Sequence, residues 1–121
     1  MNKQSERSIA VIDDSESVRR SIGSLLRSHG FVVASYESAD AFLADRSDVS
    51  CIVTDVEMPG MTGVDLYETL RARNDETPVI FITAVARQHV RHRLGSEPHV
   101  LTKPFDASEL TDCIRQVLST N

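Results

Sequence analysis

Five short apolar runs recur along the chain at similar intervals: Ile9-Ala10-Val11-Ile12, Phe31-Val32-Val33-Ala34, Cys51-Ile52-Val53, Val79-Ile80-Phe81-Ile82 and Val100-Leu101. Each has strand length, and most are rich in β-branched residues, which suit a pleated sheet better than a helix. Between them the spacing changes. Val18, Ile22, Leu25 and Leu26 repeat at three and four positions, which puts them on one face of a helix that Gly30 closes. Ala39, Phe42 and Leu43 predict a shorter second helix after Ser38. Leu66 and Leu70 predict a third, with Thr62 as its cap and Pro78 returning the chain to an extended course. Asp106 followed by Glu109 is a capping-box-like opening for a last helix that carries Leu110, Ile114, Val117 and Leu118 on one face.

Strands that alternate with helices in this way imply a parallel sheet, because parallel neighbours need a crossover and the crossovers are right-handed. The expected class is α/β, doubly wound, with helices on both faces. No internal repeat, low-complexity tract or linker interrupts the pattern, so residues 8–121 read as one domain behind a polar tail at 1–7. In such sheets ligands sit beyond the carboxyl ends of the strands, where the strand order reverses.

Composition narrows the function classes. Two Tyr, four Phe and no Trp leave a core built from Val, Ile, Leu and Ala, and this suits buried parallel strands. A formal charge of −5 weighs against binding of nucleic acid by this domain itself, which would need a concentrated excess of Lys and Arg, and points to a protein partner. Cys51 and Cys113 lie in apolar patterns without metal-ligand or redox-pair spacing and read as reduced core thiols. The first eight residues are polar and no run of about 18 apolar residues occurs, so neither a signal peptide nor a membrane span is expected and the location expected is cytoplasmic.

The residues at the strand ends carry the chemistry. Asp13-Asp14 follows the first run, Asp55 the third, Thr83 the fourth and Lys103-Pro104 the fifth. Three carboxylates in one crevice repel one another unless a cation offsets them, and a hard divalent ion such as Mg²⁺, which favours oxygen ligands and retained water, meets that need. A carboxylate beside Mg²⁺ can act as a nucleophile toward phosphorus, with the ammonium of Lys103 offsetting phosphoryl charge and Thr83 offering a hydroxyl. Taken singly, each residue has an ordinary alternative: an acid pair as a helix cap, a threonine as a turn residue, a Lys-Pro as a surface turn. Their joint placement at successive strand ends favours a site.

The ordered set Asp13-Asp14 after "IAVI", Asp55 in "VTDVEMPGMTG", Thr83-Ala84 after "VIFI" and "KPF" at 103–105 strongly resembles the receiver domain of two-component response regulators, over nearly the whole chain. The resemblance implies a flavodoxin-like fold with strand order 2-1-3-4-5, and phosphorylation by a histidine kinase or a histidine phosphotransfer protein. It implies that Asp55 is the phosphoacceptor, that Asp14 and Asp55 bind Mg²⁺ directly, that Asp13 holds it through water, and that the Glu57 main-chain carbonyl completes the protein ligands. Thr83 and Lys103 would contact the phosphoryl group, and Met58-Pro59-Gly60 would form the turn beside it. "YESADAFL" (36–43) resembles receivers of the nitrogen-fixation transcriptional regulator type.

Some positions depart from that pattern. Receivers usually carry Tyr or Phe three residues before the lysine; here the position holds Val100, with His99 beside it as an alternative if the alignment shifts by one. The interval from Thr83 to Lys103 looks short for the family, and Val85 to Leu94 lacks the alanine-rich pattern of the family's fourth helix. Arg87, Arg91 and Arg93, with His89 and His92, make either a solvated helix face or a docking patch for an acidic partner; two histidines without a third ligand are weak evidence for zinc. The expected role is therefore a signalling module rather than an enzyme. Phosphorylation would switch a protein-interaction surface toward a downstream partner, a fused output domain or a second copy. The rival is a receiver-like module that binds without phosphorylation. A phosphatase of the aspartyl-phosphate kind fits poorly with Glu57 two residues after Asp55, and a flavodoxin proper would want hydroxyls and amides, not two acids, after its first strand.

Overall fold

In the computed structural model, which describes residues 8–45, 48–84 and 99–119, the apolar runs become β1 (Ser8–Ile12), β2 (Val32–Tyr36), β3 (Cys51–Asp55), β4 (Val79–Thr83) and β5 (His99–Thr102). Helices α1 (Glu16–Ser28), α2 (Ala39–Asp45), α3 (Gly63–Ala72) and α4 (Ala107–Ser119) pack around them. The strands form one parallel sheet in the order β2-β1-β3-β4-β5. This is the doubly wound, flavodoxin-like α/β arrangement expected. Val85 to Leu94, where a further helix is expected, and the Arg/His run within it lie outside the described residues, as does the polar tail.

Alternation along each strand splits the core in two. Ala10, Ile12, Ile52, Phe81 and Val100 face α2 and α3, meeting Phe42, Leu66, Tyr67 and Leu70. Ile9, Val11, Val53, Ile80 and Ile82 face α1 and α4, meeting Leu26, Leu110 and Ile114. Cys51 and Cys113 belong to this second layer as free, buried thiols. Burial pushes both thiols up, Cys113 to about 11, which leaves them protonated and unreactive.

The helix ends follow local chemistry. Ser15 caps α1 by accepting from the Val18 amide, and Thr62 and Asp65 form a reciprocal capping box on α3. The Glu109 carboxylate accepts from the Asp106 amide at 2.8 Å, holding the entry to α4. Phe31 departs from its expected place at the start of the second strand. Its amide donates to the Leu26 carbonyl at 3.1 Å and that of Gly30 (φ 89°) to the Arg27 carbonyl at 3.0 Å, a Schellman ending in which Phe31 is the apolar residue that folds back onto the helix. Such a residue reads like strand because it is buried just after a glycine; β2 begins only at Val32 and runs on to Tyr36.

Register also decides between Val100 and His99. Val100 pairs with Phe81 and is buried on the α2/α3 side, whereas His99 pairs with Ile80 and points to the opposite face. A shift that would bring the imidazole into the family's aromatic position is therefore excluded, and Val100 stands there.

Two glycines shape the turn between β3 and α3. Gly60 adopts φ +75°, where a side chain would be strained. Gly63 is needed for space: a Cβ there would collide with the Asp55 carbonyl, and the Gly63 amide donates to the Val56 carbonyl at 3.0 Å. Gly63→Ala is expected to destabilise the domain by about 1–3 kcal/mol, the usual cost of forcing extra atoms into a packed place. Gly60→Ala, with open space around it, should cost about 1 kcal/mol through φ alone. Urea unfolding of both variants measures the difference, and equal losses would contradict the steric account.

Candidate functional site

Parallel register brings the acids together. Ile12 of β1 pairs with Thr54 of β3, so the next residues, Asp13 and Asp55, leave the sheet side by side at its carboxyl edge, with Asp14 following. Ligand oxygens of Asp13, Asp14 and Asp55 lie within 4.8 Å of one another. From β5, Lys103 places its Nζ 3.7 Å from Asp55 Oδ2. Four of the expected site residues thus converge at one crevice.

Each has a different setting. Asp13 is buried, 4% exposed. Its amide donates to the Tyr36 carbonyl at 3.2 Å, its Oδ1 accepts from the Ser15 amide at 2.9 Å, and its carbonyl accepts from Arg19 Nη1 at 2.6 Å. Asp14 is exposed and Asp55 half-buried. Asp55 Oδ1 accepts from the Glu57 amide at 3.2 Å, and the Val56 amide extends the β3–β4 ladder to the Ile82 carbonyl at 3.0 Å. Desolvation raises the Asp13 pKa from its ordinary 3.8; the Ser15 hydrogen bond opposes this and the Asp55 charge adds to it.

The remaining expected residues occupy neighbouring positions. Thr83 is fully buried at the tip of β4, one residue beyond Ile82, the register partner of Asp55. Its carbonyl accepts from the Lys103 amide at 2.8 Å, which ties the tips of β4 and β5. Ala84 is exposed next to it, and Glu57 is exposed on the turn with Met58 buried under it. The Lys103–Pro104 peptide bond is cis. Sequence reasoning missed Gly63 and Arg19. Gly63 carried a signal, a poor helix former at the first position of a helix; Arg19 carried none among the other polar residues of α1.

The donor set fits a hard divalent cation. Three clustered carboxylates, one withdrawn from water and two accessible, supply oxygen ligands together with the negative charge that such an ion offsets, and no soft ligand lies among them.

The family model described as "Response regulator receiver domain" matches residues 9–115. The chain belongs to that family. It is 39% identical over 115 residues to the transcriptional regulatory protein FixJ of Azorhizobium caulinodans, covering 91% of this chain and 54% of FixJ. It is 35% identical over 114 residues to the response regulator protein TodT of Pseudomonas putida, covering 91% of this chain and 50% of TodT. The crystal structure of FixJ-N matches with a TM-score of 0.81 and 32% identity over 94% of each chain. The receiver chain thus spans about half the length of the curated relatives it matches. The similarity to FixJ agrees with the resemblance carried by Tyr36 to Leu43.

The crowding of acids has a stability consequence. Folded Asp13 holds its proton to higher pH than the unfolded residue, so its contribution to metal-free stability is full below about pH 3.8 and is lost as pH rises through the raised value. At neutral pH, Asp13→Asn keeps the oxygen that accepts from Ser15 and removes a buried charge. It should raise metal-free stability, chiefly by removing the desolvation cost of the buried charge and secondarily by removing its repulsion from Asp55, less the attraction to Lys103 that is lost with it. Denaturant unfolding with a chelator present tests this; a loss of stability would mean that Asp13 is held by interactions stronger than the repulsion.

Proposed function

We propose that this receiver domain accepts a phosphoryl group onto Asp55, in a Mg²⁺-dependent reaction, from a histidine kinase or a histidine phosphotransfer protein, and that phosphorylation switches a protein-interaction surface. The observation that carries the reading is the convergence of three carboxylates with Lys103 Nζ 3.7 Å from Asp55 Oδ2. The family's description and the names of FixJ and TodT as regulators support it.

The chemistry follows from these positions. An Asp55 carboxylate oxygen forms a bond to phosphorus as the P–N bond of the donor phosphohistidine breaks; the leaving imidazole nitrogen keeps the bonding electrons and takes up a proton from solvent. Glu57's amide, already on Asp55 Oδ1, orients the carboxylate so that its second oxygen faces the crevice. Lys103 moves from pairing with the carboxylate to offsetting the phosphoryl oxygens. Mg²⁺, held by Asp13, Asp14, Asp55 and the Glu57 carbonyl, supplies positive charge against the phosphoryl oxygens when bound. Thr83 and the exposed small Ala84 complete the wall on the β4 side. Acting as a phosphorylated switch rather than as an enzyme on a separate substrate, the domain would sit in the cytoplasm and serve a fused output region or a docked partner, as proteins about twice its length named as regulators suggest.

Val100 shapes the readout. It is a β5 residue paired with Phe81 and buried in the α2/α3 layer, and with no ring at that position a ring turning in or out cannot carry the signal. This favours, as a second reading, a receiver-like module whose partner binds without phosphorylation.

Intact-mass spectrometry after incubation with acetyl phosphate and Mg²⁺ separates the two. One phosphoryl adduct is expected in the native chain and none in Asp55→Asn or with a chelator. Lys103→Met should lower the labelling rate by about 10²-fold, the usual effect of removing one charge stabiliser. A folded chain that takes no adduct and gives no response to beryllofluoride would leave the phosphorylation-independent module.

A further inference from the structure

Arg19 lies one turn into α1 with its guanidinium on the main chain of the acid loop, yet among the described residues it forms no ion pair with a carboxylate. It donates instead to the neutral main-chain carbonyl of Asp13, at 2.6 Å. The adjacent Arg20 shows the contrast: exposed, and paired with Glu16 at 3.3 Å on the outer face of the helix. A guanidinium seated on the carboxylates would neutralise the oxygens that a cation needs. Placed on the carbonyl, it leaves them available.

The consequence lies in how Asp13 is held. Its amide is fixed by the Tyr36 carbonyl on β2, its carbonyl by Arg19 on α1 and its Oδ1 by the Ser15 amide at the α1 cap. The Arg19 amide in turn donates to the Ser15 carbonyl at 3.0 Å, so one residue secures both the cap and the acid loop. With three of its polar groups held, Asp13 has Oδ2 left for the crevice. We propose that Arg19 is a positioning residue for the cation site: by holding the Asp13 carbonyl it keeps the Asp13 carboxylate turned toward Asp14 and Asp55. This rests on the Mg²⁺ dependence proposed above.

Positioning and plain electrostatics predict opposite signs. Arg19 is a positive charge near a cation site, so if charge were its only influence its removal would tighten Mg²⁺ binding. If it positions Asp13, removal weakens binding, by about tenfold or more as for other residues that orient metal ligands. The experiment is calorimetric Mg²⁺ titration of the whole chain and of Arg19→Met, Arg19→Lys and Arg20→Met, with thermal melts in chelator to follow the fold. The expected result is at least a tenfold weaker Kd for Arg19→Met, an intermediate value for Arg19→Lys, whose ammonium can still donate to the carbonyl, and no change for Arg20→Met. If Arg19→Met does not melt cooperatively, the Arg19→Lys and Arg20→Met pair decides by the same order. Unchanged or tighter binding on loss of Arg19 overturns the proposal while leaving the Mg²⁺ reading intact. A native chain that binds no Mg²⁺ overturns both.

Discussion

The pairing of β1 with β3 is the constraint on which the rest of the molecule depends. Ile12 lies opposite Thr54 in a parallel ladder, and parallel strands end at the same edge, so Asp13 and Asp55 leave the sheet together. A slip of one residue would invert every side chain on one strand, sending Ile52 and Thr54 into the layer that receives Cys51 and Val53. The two buried layers on either side of the sheet forbid that slip. The apolar core thus sets the spacing of the charged groups with more authority than the charges themselves, which repel.

That repulsion is tolerated because the backbone bears it. Asp13 is held by hydrogen bonds from and to main-chain groups and Arg19 and, among the described residues, not by a neutralising partner in direct contact; Lys103 reaches Asp55 from a different strand. Burial and neighbouring charge raise the Asp13 pKa, so the site stores a tendency to bind a proton or a cation. The same arrangement would relax if the carboxylates were individually ion-paired, and the crevice would then have little affinity for either. The proposed activity at this edge and the expected loss of metal-free stability would come from one arrangement of charge.

The sheet, its class and the acids at its edge were legible because they depend on short-range pattern: apolar runs, a polar residue where each run stops, and the rule that parallel strands share an edge. Thr62, Ser38 and Asp106 could be placed at helix starts for the same reason, since a cap is a local device. Phe31 was misplaced because a buried residue after glycine has two local explanations, strand start and Schellman anchor, and only the hydrogen bond to Leu26 separates them. Arg19 was invisible because its partner is a main-chain carbonyl six residues away, and a carbonyl has no letter in the sequence. Gly63 lay between: its residue type hinted at crowding, but the crowding atom, the Asp55 carbonyl, is again backbone.

Val100 leaves the geometry of the acidic crevice intact and bears on how a signal would leave it under the proposed switch. On the α2/α3 face Tyr67 of α3 meets Phe81 of β4 edge-on with centroids 5.8 Å apart, and Arg71 covers Tyr67 at 4.4 Å. Arg71 also donates to the Asp75 and Thr77 carbonyls, so this cluster is tied to the turn that leads into β4. Val100 belongs to that buried layer as a small, β-branched side chain, stiff at χ1 and without a ring. Under the proposed switch, a change at Asp55 would need another contact to travel by, and the tips of β4 and β5 offer one. Thr83 and Lys103 are joined there through the backbone, one at the end of the strand beside Asp55 and the other with its ammonium already on Asp55. Movement of Lys103 toward a new charge would pull on β5 through its main chain.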